Sequence, residues 1–298
     1  MRTALTALAD ELRRLKTAGV QSVAVADESL AALRAAVARA PRRGPANRPH
    51  APAAVMELAP TAKPEAPPAK PTPEIASPPV VALPPGDKAV RWEALRAVVT
   101  ADKTCCSNVR PGKKVVLGVG SLDAQIMFIG EAPGADEEVQ GEPFVGPAGQ
   151  LLNRMISAMG IQRSDVYIGN IMNWRPQLPV GSDGVQYGNR PPTSAEMAYC
   201  MPYLLAQIDI VQPAILVALG STAAQGLLGT GTFKALGEVR GLWRQFAGRP
   251  LMITYHPSYI LRNSTNRSKR MIWEDLLKVM ERAGLPISEK QRAFFTGK

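Results

Sequence analysis

Four short apolar segments, each separated from the next by a stretch with helical spacing, constrain the fold of this chain more than any other feature. They span residues 125–129, 166–171, 214–219 and 251–255, and they are rich in β-branched residues. Apolar runs of this length are typical of strands covered on both faces, and strand–helix alternation implies a mostly parallel sheet. The sequence therefore predicts an α/β fold: a three-layer α/β/α sandwich around a central, mostly parallel four-stranded sheet.

The segments between the strands carry helix signals. Apolar residues recur at core spacing between Gly146 and Met159, and Thr193 with Glu196 forms a capping box at the start of a second helix. Further helices are predicted over 221–228 and 267–283. The order of these elements is the one that parallel strands require.

Residues 1–86 differ in composition from the rest of the chain. Residues 1–40 are predicted to form a small helical N-terminal segment, with a leucine stripe from Leu5 to Leu15. About half of the 27 prolines lie between Pro41 and Pro85. Residues 41–86 are therefore predicted to be a disordered Pro/Ala-rich linker, which leaves 87–298 as the main folded domain.

The overall charge, the lack of a long apolar run and the cysteine count indicate which partners and which cellular compartment to expect. A formal charge of +10 favours contact with nucleic acid, although a basic protein need not bind one. No apolar run approaches the roughly 20 residues that span a bilayer, and the N-terminus is charged where a signal peptide would be apolar. Three cysteines, two of them adjacent, make no disulfide framework. We therefore expect a cytoplasmic protein with no membrane contact.

Polar residues follow all four predicted strands. Glu131, Asn170, Gly220-Ser221 and His256 come directly at or after the strand ends. In a parallel sheet these ends lie at one edge, which is where open α/β sheets bind ligands. The sequence thus predicts a ligand site at that edge.

The loop GEAPGADEEVQGEPFVG, residues 130–146, adds five carboxylates and an aromatic ring to this edge. Phe144 is either a core residue or a platform on which a nucleobase stacks. Asn170 either caps the chain or pairs with the edge of a base through its amide, and His256 is either structural or catalytic.

An acid, an amide, an aromatic ring and an imidazole fit a hydrolase that flips a base out of DNA. A carboxylate such as Glu131 can orient water or offset positive charge on the sugar, and an imidazole can stabilise the departing base. The competing use of clustered carboxylates is metal binding, but the loop lacks the ligand spacing of a known site.

These blocks resemble the uracil-DNA glycosylase superfamily, specifically its family-four branch. The resemblance covers roughly residues 93–283, and its most specific part is VVLGVGSLDAQIMFIGEAPGADEEVQGEPFVGPAGQLLNRMI. NIMNWRP, QPAILVALGSTAAQGLLG and YHPSYILR follow in the family's order. The resemblance implies that residues 87–298 are a catalytic domain that hydrolyses the N-glycosidic bond of uracil in DNA.

The resemblance also implies a role for each matching residue. Glu131 would be catalytic or position water, and His256 would stabilise the departing uracil at its 2-carbonyl. Uracil would be held by residues of the first and second blocks: Gly130, Ala132, Glu137, Phe144 and Asn170. Among them Glu137 would help to exclude thymine, while Asp136, Glu138 and Glu142 are expected to be solvated or to cap the loop. The segment that enters the duplex would include Ser258, Tyr259, Leu261 and Arg262.

One departure from the family concerns its cofactor. Relatives in this branch hold an iron–sulfur cluster with four cysteines, and here only Cys106 and Cys200 remain at those positions, with Lys103 and Trp174 at the other two. Cys105 could shift to supply a third ligand, but nothing offers a fourth. We therefore expect no cluster and no other metal, with Trp174 filling the space.

The expected protein is a monomeric, monofunctional uracil-DNA glycosylase that acts on single-stranded or double-stranded DNA. The alternatives are a catalytically weakened DNA-binding module of the same fold, a glycosylase that accepts further deaminated bases, and a metal-dependent nuclease. Residues 1–40 would contact a repair or replication protein, or they are an appendage with modest DNA affinity.

Overall fold

The computed structural model describes residues 76–181 and 183–296. The predicted N-terminal helices and most of the proline-rich linker lie outside these residues. Residues 76–86 have no regular secondary structure, and within them Val81 and Leu83 pack against the core. The folded core therefore includes residues that precede the first helix.

The described residues form one mixed sheet of six strands in the order β1-β3-β2-β4-β6-β5. The central strands β3, β2, β4 and β6 are parallel, and they correspond to the four predicted segments. Short antiparallel strands extend both edges. The strands are β1 (Val119–Gly120), β2 (Ile126–Gly130), β3 (Tyr167–Asn170), β4 (Ile215–Leu219), β5 (Trp243–Phe246) and β6 (Arg249–Thr254).

The α/β fold is confirmed, but the sheet has two more strands than the predicted four. β5 was missed because only the outer two of its four residues are half-buried and the middle two are exposed, so it has no apolar run. β1 is two residues long and carries no periodic signal. Both extra strands lie at the edges, away from the parallel strand ends.

Helices cover both faces of the sheet. They are α1 (Lys88–Ala101), α2 (Lys103–Ser107), α3 (Ala135–Gln140), α4 (Pro147–Ala158), α5 (Ser194–Val211), α6 (Ser221–Leu228), α7 (Pro257–Arg262), α8 (Asn266–Arg282) and α9 (Glu289–Arg292). The predicted capping box at α5 is present, with Glu196 N–H donating to Thr193 Oγ1 and Thr193 N–H to Glu196 Oε2. Single 3₁₀ turns occur at Arg163–Asp165 and Leu236–Glu238.

Alternate residues of β2 divide the core into two layers. Met127 and Ile129 pack with residues of α1, α5 and α6, whereas Ile126 and Phe128 pack with residues of α4 and α8. This is the three-layer α/β/α arrangement expected from strands that are apolar on both faces. Within the described residues no helix is long and apolar enough to cross a membrane.

Candidate active site

The carboxyl ends of the four parallel strands bring the predicted polar residues to one edge of the sheet. Asn170 is the last residue of β3, Glu131 follows β2, and Gly220 and His256 follow β4 and β6. Backbone hydrogen bonds from Ile171 to Gly130 and from Met172 to Glu131 continue the β2–β3 pairing beyond the strands. The position of each residue at this edge is therefore fixed by the sheet register.

Gly130 lies between the Asn170 amide and the Phe144 ring. A Cβ atom at Gly130 would stand 2.3 Å from Asn170 Oδ1 and 2.6 Å from Phe144 Cε2. The amide and the ring edge are thus within about 5 Å of each other. Among the described residues the Asn170 side chain has no hydrogen-bond partner, so its donors and acceptor are available to a ligand. Both side chains are largely buried, with exposed fractions of 6% and 5%.

Phe144 adopts a backbone conformation that a bulky residue rarely takes, with φ at 55°. Arg163 holds this turn: its guanidinium donates to the carbonyl oxygens of Pro143 (2.7 Å) and Phe144 (3.2 Å) and to Asn153 Oδ1 (2.8 Å). The approach of Gly149 to the Phe144 carbonyl leaves no room for a side chain at residue 149. The ring of Phe144 is therefore presented by a strained turn that neighbouring residues enforce.

The Phe144 ring lies beside the imidazole of His256, with ring centroids 5.5 Å apart and an interplanar angle of 32°. His256 is the N-cap of α7, and its Nδ1 accepts the N–H of Ser258 at 3.2 Å. Because Nδ1 accepts a hydrogen bond, a neutral ring carries its proton on Nε2. Burial, reinforced by the positive charge of Arg262, lowers the pKa of His256 to about 4. At neutral pH His256 is thus an uncharged Nε2–H donor.

Gly220 connects β4 to this histidine. Its φ of 95° lies in the left-handed region, and a Cβ there would stand 3.0 Å from His256 Cβ. Two residues on, the side chain of Thr222 lies near the Glu131 carboxylate. Burial raises the pKa of Glu131 above its ordinary value, and the nearby Thr222 hydroxyl acts in the opposite direction. Thr222 was not singled out from the sequence, although its place at the start of α6 beside a strand end was a usable signal.

Two carboxylates of the acidic loop, those of Glu137 and Glu138, bond to other groups of the protein. Glu137 Oε1 accepts from the N–H groups of Val145 and Gly146, and its Oε2 accepts from Gly134, all within 3.1 Å. Asp136 and Glu142 are exposed as expected. The expectation for Glu138 was wrong: it is buried, and its Oε1 accepts from Arg175 Nη1 at 2.9 Å. This pair has no signal in the sequence, because its members are 37 residues apart.

A second buried network supports the end of β6 and was also missed. Asp275 of α8 accepts from Thr254 Oγ1 at 2.7 Å and from two nitrogens of Arg240. The Arg240 guanidinium lies 5.6 Å from the ring centre of Tyr255, which stacks on Tyr259 at 4.4 Å. This network anchors the residues on both sides of His256.

The predicted DNA-contacting residues lie in α7, directly after His256. Ser258 and Tyr259 are half-buried, whereas Leu261, with an exposed fraction of 47%, and Arg262 are exposed. Ala132 is half-buried and packs against the core on the α5 side of the sheet. The structure thus brings Gly130, Phe144, Asn170 and His256 together, places Glu131 directly after Gly130 and near Thr222, and leaves Leu261 and Arg262 at the surface.

The three cysteines are divided between interior and surface. Cys105 and Cys200 are buried, and the neighbouring Cys200 thiol together with burial raises the pKa of Cys105, whereas Cys106 is exposed and its Sγ donates to the Thr100 carbonyl. Cys105 rather than Cys106 is therefore the neighbour of Cys200. Trp174 is fully buried beside Tyr199, and its Nε1 has no partner among the described residues. No three His, Cys, Asp or Glu side chains within the described residues are grouped closely enough to hold a metal ion.

Comparison with known proteins points to one family. The sequence model of the uracil DNA glycosylase superfamily matches residues 117–277. A type-4 uracil-DNA glycosylase of Thermotoga maritima is 42% identical over 167 residues, which are 55% of this chain and 80% of that relative. Those of Pyrobaculum aerophilum and Saccharolobus solfataricus are both 39% identical, over 53% and 57% of this chain and over 78% and 76% of their own lengths.

Proposed function

The chain belongs to the uracil DNA glycosylase superfamily and is a uracil-DNA glycosylase, and we propose that Glu131, Phe144, Asn170 and His256 carry this activity. The enzyme hydrolyses the N-glycosidic bond of uracil in DNA and leaves an abasic site. The observation that supports the assignment of the site is that the Phe144 ring lies across Gly130 from the Asn170 amide and also beside the His256 imidazole. A base must leave the duplex to reach a pocket of this kind.

Recognition of the base follows from the two side chains that flank Gly130. The Phe144 ring stacks on the flipped uracil, and the unpartnered Asn170 amide pairs with its Watson–Crick edge. Gly130 and Ala132 keep the backbone close to the base because they carry little or no side chain. Glu137, held by three backbone N–H groups, is a rigid part of the wall that helps to exclude the methyl group of thymine.

The chemistry uses the neutral His256 that burial favours, together with an ionised Glu131. As the N-glycosidic bond breaks, its electron pair goes to N1 of uracil and negative charge spreads to O2, where the Nε2–H of neutral His256 donates a hydrogen bond. The Glu131 carboxylate offsets the positive charge on the sugar and orients a water molecule. Water adds to C1′ of the sugar, and its second proton passes to Glu131.

Residues of α7 act on the duplex. Leu261 is an exposed apolar side chain next to the site and fits the space that the base vacates. Arg262 is exposed on the same turn and contacts phosphate, while Ser258 and Tyr259 hold the helix against the site. Uracil in single-stranded DNA binds in the pocket without the α7 contacts that a duplex requires. Both single-stranded and double-stranded DNA are therefore substrates.

The residues at the family's cluster positions do not fit an iron–sulfur cluster. Four thiolates are needed, yet only Cys105 and Cys200 lie together, Cys106 is on the surface, and Lys103 and Trp174 occupy the other positions. The buried indole of Trp174 occupies interior volume beside the helix that carries Cys200. We expect protein purified without oxygen to contain no stoichiometric iron or acid-labile sulfide, and the presence of both would overturn this part.

The proposal also covers the cellular location, the oligomeric state and the protein partners. We propose a cytoplasmic monomer whose residues 1–40 bind a repair or replication protein through the linker. Because Val81 and Leu83 pack against the core, a truncation that tests this should remove residues 1–75 and stop there. Uracil excision should survive the deletion, and complete loss would show that the catalytic domain extends into the removed part.

The activity is tested with a uracil-containing oligonucleotide that is treated with alkali after incubation. We expect strand cleavage only after alkali, the same rate with a chelator, and losses of at least about 100-fold in His256→Ala and Asn170→Ala. A protein that binds this DNA without forming abasic sites would be the binding module instead. Inhibition by the chelator would indicate a nuclease, and a panel with hypoxanthine and xanthine defines the range of bases.

A further inference from the structure

We propose that a basic cleft beside the active site holds the phosphate backbone of the strand that carries the flipped nucleotide. The basic cleft is an open cavity of about 660 Å³ between α1, residues 109–119 and residues 140–142. Its charged lining consists of Arg96, Arg110, Lys113, Lys114 and Glu142. The inference rests on the proposed function, because it adds a contact to the same DNA substrate.

The charges of the basic cleft are only partly neutralised by the protein. Lys113 is 4.0 Å from the Glu138 carboxylate, but that oxygen is already bonded to Arg175 at 2.9 Å. Arg110 uses one nitrogen on the Leu178 carbonyl, and Lys114 donates to the Gln140 carbonyl at 3.3 Å.

A guanidinium has five N–H donors and an ammonium has three, so Arg110, Lys113 and Lys114 keep spare donors. Arg96 is paired with Glu93, which leaves three cations facing the single carboxylate of Glu142. An anion of extended shape, such as a phosphodiester chain, matches this excess.

Part of the wall of the basic cleft lies at the same edge of the sheet as the active site. Lys114 N–H donates to the Glu138 carbonyl, and Val116 N–H donates to the carbonyl of Asn173, three residues beyond Asn170. The wall residue Gly141 is three residues from Phe144, so their Cα atoms are at most about 11 Å apart. Since one strand of DNA advances 3.4 Å per nucleotide, phosphates about three nucleotides from the flipped uracil reach the cleft.

The test compares two double variants that remove equal charge. Lys113→Gln/Lys114→Gln changes the basic cleft and keeps an unbranched polar side chain without the charge. Lys234→Gln/Arg244→Gln removes two exposed cations elsewhere, Arg244 from the far edge strand β5. Binding to an undamaged 20-base-pair duplex is measured by fluorescence anisotropy between 50 and 300 mM salt. Uracil excision kinetics are measured on the same duplex with a central uracil and on a trinucleotide with a central uracil.

We expect the cleft variant to lower the salt slope of log Kd by about 2, one for each lysine–phosphate contact. Each phosphate contact contributes about 0.9 to the slope of log Kd against log salt concentration. Loss of two contacts therefore weakens binding by up to about 60-fold at 0.1 M salt. KM for the duplex rises, whereas KM for the trinucleotide stays at the wild-type value because that substrate does not reach the cleft. The control variant should change the slope by less than 0.5.

Equal slopes for wild-type protein and the cleft variant would overturn the inference, as would the same rise of KM on both substrates. Either result leaves the proposed function standing as long as the wild-type protein releases uracil. If the wild-type protein releases none, the proposed function fails whatever the salt slopes are. Circular dichroism of both variants verifies that the lost charges, and not unfolding, cause the change.

Discussion

Substituting Gly130 with alanine tests how closely the Asn170 amide and the Phe144 ring must approach. The added Cβ would stand 2.3 Å from Asn170 Oδ1 and 2.6 Å from Phe144 Cε2, whereas an unstrained contact needs about 3.5 Å. One or both side chains must therefore move by roughly 1 Å. Phe144 has little freedom, because its turn is held by Arg163 and its ring lies beside His256.

A displacement of about 1 Å in a positioning group costs on the order of 100-fold in rate, which is about 2.7 kcal/mol of transition-state stabilisation. The stability cost of the extra methyl group is about 1–3 kcal/mol, so the variant stays folded at 25 °C. The assay is the single-turnover rate of uracil release from a duplex at saturating enzyme, with thermal unfolding measured on the same samples.

The matched control is Gly237→Ala, where an added Cβ meets no atom within 4 Å. We expect the Gly237 variant to release uracil at the wild-type rate. A Gly130→Ala enzyme that is folded and reacts within threefold of wild type would refute the reasoning, because the pocket would then tolerate the displacement.

Three further substitutions test other parts of the site. Thr222→Val removes a hydroxyl that favours ionised Glu131, so the pKa of Glu131 should rise further and the acid limb of the pH–rate profile should move to higher pH. Thr222→Ser should restore the profile, and an unshifted acid limb would contradict the contact. Trp174→Ala should lower the free energy of unfolding in urea by about 3–5 kcal/mol, and a loss below 1 kcal/mol would show that the indole is not a core residue. Arg163→Ala should lower stability by about 2 kcal/mol and slow uracil release, whereas an unchanged rate would mean that its three hydrogen bonds do not hold the turn.

The central strands could be predicted from the sequence because helices cover both of their faces. Burial on both sides selects continuous apolar runs, and such runs are visible without a structure. The edge strand β5 has two exposed residues between two half-buried ones, so it shows neither an apolar run nor an alternation that would distinguish it from a loop. β1 is too short to have any period.

The site was predictable where it depends on strand ends, and hidden where it depends on contacts between distant residues. Glu131, Asn170 and His256 were found because parallel strands bring their carboxyl ends together. The left-handed backbone of Phe144 could not be predicted, since it opposes the preference of a bulky residue and is imposed by Arg163, 19 residues further along. Glu138 looked like a solvated acid because the sequence does not reveal that Arg175 lies against it.

The most direct test of the central claim is imidazole ¹⁵N NMR of His50→Gln protein, because the chain has only two histidines and this variant retains His256 alone. We expect a neutral ring protonated on Nε2 that does not titrate between pH 8 and 5, since burial lowers the pKa of His256 to about 4. Addition of uracil should shift the Nε2–H signal as the base accepts its hydrogen bond. An imidazole that titrates near pH 6.5 and does not respond to uracil would contradict the claim that His256 faces the extruded base.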